Sequence, residues 1–128
     1  MNVLIVALDT ALPVEVPDAE VLVLVPALNS RLRHWFSDDD GARRRAHDRA
    51  AALVDGLEQR GVHAEGRVGD ADPLLAIADA LPTFPADEIV IAAEPERANR
   101  LADDLAARAR QRFALPTFRS VDSLPQAA

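Results

Sequence analysis

The chain contains no cysteine. That excludes disulfides, thiolate nucleophiles and zinc sites built on sulfur. Lysine and tyrosine are missing as well, so all 14 basic residues are arginine, and Schiff-base, lysine general-base and phenol chemistry are excluded with them. Glycine is scarce, with five residues and none after Gly69, so the second half has no glycine-rich loop to cradle a phosphate. Long hydrophobic runs are lacking too. None approaches the roughly 18 residues of a membrane span, and the first residues form a strand-like run without a basic leader or a cleavage site. A soluble protein that stays in the cytoplasm is expected. Basic charge is outweighed: the net charge is −7, which repels polyphosphate backbones and argues against nucleic acid as a partner.

What is present suits one globular domain. The 128 residues are 49% hydrophobic and 27% charged, enough to bury a single core. Residues 1–122 are expected to form that domain and 123–128 a disordered tail.

Val3 to Leu8, Val21 to Val25 and Ile89 to Ala93 are continuous apolar runs of strand length. Apolar character on both faces marks parallel strands covered by helices on both sides. His63 to Val68 and Thr117 to Val121 mix polar and apolar residues, which predicts edge strands with one side in water. Ser37 before Asp38, Asp39 and Asp40 suits a helix start, and Ala42, Ala46, Ala50, Leu53 and Leu57 then recur on one helical face until Gly61 ends it. Asp72 and Pro73 open a second helix with a stripe of Leu74, Ile77, Ala78 and Leu81. A third starts near Pro95 or Glu96 and is expected to turn Ala98, Leu101, Leu105 and Ala109 inward, with Phe113 closing its end.

With right-handed crossovers, this order predicts a doubly wound α/β fold: a five-stranded parallel sheet in the order 3-2-1-4-5. One element is short. About ten residues, including Pro13 and Pro17, separate Asp9 from Ala19, so the first crossover helix is expected to be shortened or missing. Its loss would bare apolar sheet beside the last helix, for Leu28, Leu32, Trp35 and Phe36 or a second subunit to cover.

Several short segments carry a family resemblance. Gly69, Asp70, Pro73, Ile77 and Ala80 look like a G-x-P-x-x-x-I-x-x-x-A segment, with Pro73 two residues late. Ala86-Asp87-Glu88-Ile89-Val90-Ile91 is similar to an A-D-L-I-V-M strand, Leu115-Pro116 to the pair opening a last strand, and Ala7-Leu8-Asp9-Thr10 to a V-x-D-G-S start. Together they resemble the universal stress protein family over roughly two thirds of the chain. Members that bind ATP carry G-x-x-G-x9-G-[ST] after the fourth strand. Here Ala92-Ala93-Glu94-Pro95-Glu96-Arg97-Ala98-Asn99-Arg100 stands in that place. Acids and a proline replace the glycines whose amides would approach phosphate. The chain is thus similar to the branch lacking the ATP motif, which disfavours ATP or another nucleotide as a cofactor.

In such sheets ligands bind at the carboxyl ends of the strands beside the switch point, here between strands one and four. Asp9, Thr10, Asn29, Arg31, Arg97, Asn99 and Arg100 fall on that rim. By resemblance Asp9 contacts a nucleotide ribose or base; the plain alternative is a loop cap. Arg97 and Arg100 can hold a phosphate or carboxylate at a helix start, or simply pair with Glu94, Glu96, Asp103 or Asp104. Trp35 can floor a planar ligand beside Arg31 or Arg33, or plug a helix end or an interface. Asp38 to Asp40 are explained by capping rather than metal binding, and His34, His47 and His63 have no metal or triad spacing.

No nucleophile elbow or Walker motif occurs. A receiver domain would need a late lysine, and a dehalogenase-like phosphatase a second aspartate two residues after Asp9, where Ala11 stands. The expectation is a non-catalytic universal-stress-like regulatory or interaction domain, homodimeric and associated with the stress response. It would engage a protein partner or a small anionic ligand, and no nucleic acid or membrane. The alternative is a small-molecule sensor binding a nucleotide or other anion at the carboxyl ends of strands 1 and 4.

Overall fold

Five strands and three helices alternate in a computed structural model, which describes residues 1–9, 19–27, 39–93 and 99–119, the side chains of 39, 40 and 99 excepted. The strands are β1 (Asn2–Ala7), β2 (Glu20–Pro26), β3 (Ala64–Gly69), β4 (Glu88–Ala92) and β5 (Thr117–Arg119). The helices are α1 (Asp39–Gln59), α2 (Pro73–Ala80) and α3 (Asn99–Phe113). All pairings are parallel and the order is β3-β2-β1-β4-β5, as the three apolar runs and two mixed segments predict. The expected shortening of the first crossover concerns residues 10–18, which lie outside the described residues, as do the loop around Trp35 and Phe36 and the tail. No helix among the described residues is long and apolar enough to cross a membrane.

Alternation of side chains along the central strands feeds two cores. Leu4, Val6, Leu22, Leu24, Ile89 and Ile91 face α2 and α3 on one side of the sheet. Val3, Ile5, Val21, Val23 and Val90 face the side that α1 covers. Each layer therefore hides one face of every central strand, which is why those strands are apolar throughout. On the α1 side of β1 and β4, Val3, Ile5, Val90 and Ala92 are fully buried.

The α1 stripe is as expected: Ala42, Ala46, Ala50, Leu53 and Leu57 are all buried. Gly61 follows with φ +82, a left-handed turn that glycine takes without a Cβ clash. Asp72 caps α2 by accepting from the Leu74 amide at 3.0 Å, with Pro73 at the first helical position. The inward residues of α2 are Ala76, Ile77 and Ala80, whereas Ala78 is half-buried, and Leu74 and Leu81 pack at the margin of the core. Along α3, Leu105 and Ala109 are inward as expected, Leu101 is not, and Ala98 lies outside the described residues. Ala102, Leu105, Ala106 and Ala109 point inward, while Leu101 is 45% exposed. The three small alanines suit close packing against the sheet, and the larger Leu101 is left outside.

The last strand lies at the sheet edge as expected, and its buried positions are the polar ones. Thr117 and Arg119 are buried, and Phe118 is half-buried. Their inward positions are tolerated because α3 supplies partners: Asp103 pairs with the Arg119 guanidinium, and the Arg110 guanidinium donates to the Thr117 carbonyl at 2.8 and 3.0 Å.

Between α3 and β5, Ala114 sits at φ 52, a left-handed conformation in which its Cβ is strained. Ala114→Gly removes that strain at the cost of a more flexible unfolded chain. It is expected to stabilise the protein by about 0.5–1 kcal/mol, read as a higher urea midpoint at unchanged slope.

Candidate functional site

The carboxyl ends of β1 and β4 form the crevice at which the strand order reverses. Ala7 pairs with Ala92, and the Leu8 amide donates to the Ala92 carbonyl at 2.9 Å, so the two chains leave the sheet side by side. On the β2 side, Ala27 donates to the Gly69 carbonyl at 3.1 Å. Crossovers leave β1 and β4 in opposite directions at this point, which opens the gap where open α/β sheets hold ligands.

Asp9 follows β1 at the rim of this crevice, half-buried and already engaged within the chain. Ala93, next after β4, is buried. Asn99 opens α3, and Arg100 beside it is exposed. Thr10, Asn29, Arg31 and Arg97 lie outside the described residues. Of the expected rim, the structure thus places Asp9 at the end of β1, and Asn99 and Arg100 at the start of α3.

The resemblance also marked residues that work away from the crevice. Asp87 lies at the opposite end of the sheet, where its carboxylate accepts from the Asn2 amide at 2.7 Å and its own amide donates to the Asn2 carbonyl at 2.7 Å. Asn2 also donates through Nδ2 to the Pro85 carbonyl at 3.0 Å. Asp87 therefore latches the starts of β1 and β4 in register. Asp70 accepts from the Asp72 amide at 2.9 Å and shapes the turn into α2. His47 and His63 are exposed, and His63 lies 3.8 Å from Glu20.

Sequence reasoning missed two hollows that flank β3. One, of about 250 Å³, is lined on the α2 side by Arg43, Arg67, Asp70, Ala76 and Asp79. The other, of about 220 Å³, is lined on the α1 side by His47, Ala50, Ala51, Val54 and Gly66. Arg67 borders both, held by donation to Thr83 Oγ1 at 2.8 Å. The available signal was the glycine pair of β3: Gly66 and Gly69 mark where α1 and α2 approach this edge strand closely, and the hollows lie beside those contacts.

No protein-family model matches the sequence, and no curated protein matches it at a significant level. Among solved structures, the chain is similar to a universal stress protein family protein from Arabidopsis thaliana, crystallised with AMP bound. The identity is 12% and the TM-score 0.55, over 99% of this chain and 97% of that one. At that distance the likeness is one of fold: this chain has the five-stranded parallel α/β architecture of a universal stress protein family structure.

Proposed function

We infer that this chain is a universal-stress-like regulatory or interaction domain that acts as a dimer, without chemistry of its own and without conventional ATP binding. The observation that carries the reading is a fold shared over the whole chain, joined to a segment after β4 that offers no glycine for a triphosphate. The segment 94–98 reads Glu94-Pro95-Glu96-Arg97-Ala98, with two acids and a proline where a phosphate cradle would carry glycines with open amides. The absence of lysine, cysteine and tyrosine narrows the chemistry available to an enzyme. Cytoplasmic residence and a part in the stress response belong to the same reading.

A second reading is favoured by one observation. The similar structure holds AMP, and a monophosphate asks for far fewer amides than a triphosphate does. Asp9 and Arg100, with Thr10, Asn29, Arg31, Arg97 and Asn99, would then form a sensor site for a nucleotide or another small anion.

Thermal melting in ATP, ADP and AMP separates the two. A ligand present at 100 times its Kd adds about 2.7 kcal/mol, which raises the Tm of a domain this size by several degrees. The interaction-domain reading expects no shift at 1 mM of any of the three. A rise with AMP that Asp9→Asn abolishes selects the sensor reading, and a rise with ATP overturns the first.

A further inference from the structure

We propose that the outer edge of β3 is the surface through which two copies of this chain associate, as an antiparallel β3–β3 pair with its dyad at Gly66. The proposal rests on the dimeric reading above and names its interface.

An open sheet has two edges, and here they differ. On β5 the pairing of the Ile89 amide with the Pro116 carbonyl at 2.9 Å turns the Thr117 carbonyl outward. That carbonyl is already taken by Arg110, with bonds of 3.0 and 2.8 Å, so a guanidinium covers the edge where an incoming strand would bind.

The β3 edge carries no such cover among the described residues. The Val21 amide donates to the His63 carbonyl at 3.2 Å and the Ala27 amide to the Gly69 carbonyl at 3.1 Å. Alternation along a parallel strand then directs the main-chain groups of Glu65 and Arg67 toward β2 and those of Ala64, Gly66 and Val68 outward. Gly66, in the middle, is exposed. The hollow beside it on the α1 side is lined by Ala50, Ala51 and Val54, which a partner's flank would dry.

The sequence of this edge is complementary to itself. With the dyad at Gly66, Ala64 faces Val68 of the second copy and Gly66 faces its own equivalent. Every outward donor and acceptor thus meets another. Between these hydrogen-bonded pairs, Glu65 falls opposite Arg67 of the second copy, and Arg67 opposite its Glu65. These are the closely spaced non-hydrogen-bonded positions, where opposite charges directly across stabilise and like charges repel. Within one chain Glu65 and Arg67 already lie on the same face, 4.0 Å apart. The same two side chains that would discourage an arbitrary strand therefore select a second copy in one register, as an isologous contact requires.

Charge exchange tests this register. Wild-type protein is expected to be dimeric by light scattering. Glu65→Arg and Arg67→Glu, each alone, place like charges opposite one another and are expected to weaken dimerisation on the order of tenfold or more. Mixing the two variants restores opposite charges at both positions and is expected to return a dimer. A disulfide readout does not depend on the stability of these variants. The chain has no cysteine of its own, so oxidising a mixture of Glu65→Cys and Arg67→Cys should crosslink one to the other, while neither crosslinks alone. A wild type that stays monomeric overturns the dimeric reading and this interface together. A dimer that neither charge reversal weakens, or that forms no mixed crosslink, overturns the β3 interface and leaves dimerisation standing.

Discussion

Leu105→Ala is expected to lower the stability of the chain by about 2–4 kcal/mol, while Leu101→Ala, one turn earlier on the same helix, changes it by less than about 1 kcal/mol. Both lose the same atoms. Leu105 is 4% exposed, among Ala102, Ala106 and Ala109 and the strands they cover, so its removal leaves a void as well as lost burial. Leu101 is 45% exposed, and water fills the space its side chain leaves. Urea denaturation with a constant slope measures both differences. Equal losses at the two positions would mean that α3 is rotated about its axis from the phase described here.

That contrast locates what sequence alone conveys about this fold. β1, β2 and β4 are legible because strands covered on both faces must be apolar at every position, and Val3 to Leu8, Val21 to Val25 and Ile89 to Ala93 satisfy no other simple pattern of that length. The α1 stripe is legible because five small or aliphatic residues recur at spacings of four, four, three and four. In α3 the rule holds for Leu105 and Ala109 and fails at Leu101, for a physical reason. Alanine is ambivalent, and a stripe built of Ala102, Ala106 and Ala109 around one leucine competes with an equally regular stripe through Leu101. Close packing against the sheet favours the smaller residues. In β5 the mixed pattern marks an edge strand but not which side is buried, and the burial of Thr117 and Arg119 follows only from Asp103 and Arg110 on α3.

The candidate site was legible to a smaller degree. Its position follows from strand order, because reversal between β1 and β4 is a topological fact that the apolar runs already imply. Its chemistry depends on side chains carried by connecting segments, where periodicity carries no information. Asp9 is found from its place at the end of a buried run. Arg67 is not, because nothing in the pattern His63 to Val68 announces that its guanidinium will lie between two hollows and reach Thr83. Self-complementarity of β3 is a further kind of signal. It is visible only once the outward-facing residues are known, since shifting the pairing by one residue would oppose groups that already bond to β2.

Gly69→Ala is expected to cost about 2–3 kcal/mol, far more than a single added methyl costs on a surface. A Cβ there would lie 2.7 Å from the Cβ of Ala76 and 3.0 Å from Leu24 Cδ1. Ala76 cannot yield alone, because its Cβ moves only with the backbone of α2. That helix is pinned by the Asp72 cap and by Ile77 and Ala80 in the core. Gly66→Ala is the control. Its new Cβ would meet Val54 Cγ2 at 3.1 Å and Ala50 Cβ at 3.3 Å, and a small rotation of Val54 relieves the closer contact, so a change within about 1 kcal/mol is expected. Chemical denaturation of the two variants beside wild type makes the comparison. A Gly69→Ala protein as stable as Gly66→Ala would show that α2 does not press against the end of β3. The glycine would then owe its place to something other than the close approach of strand and helix.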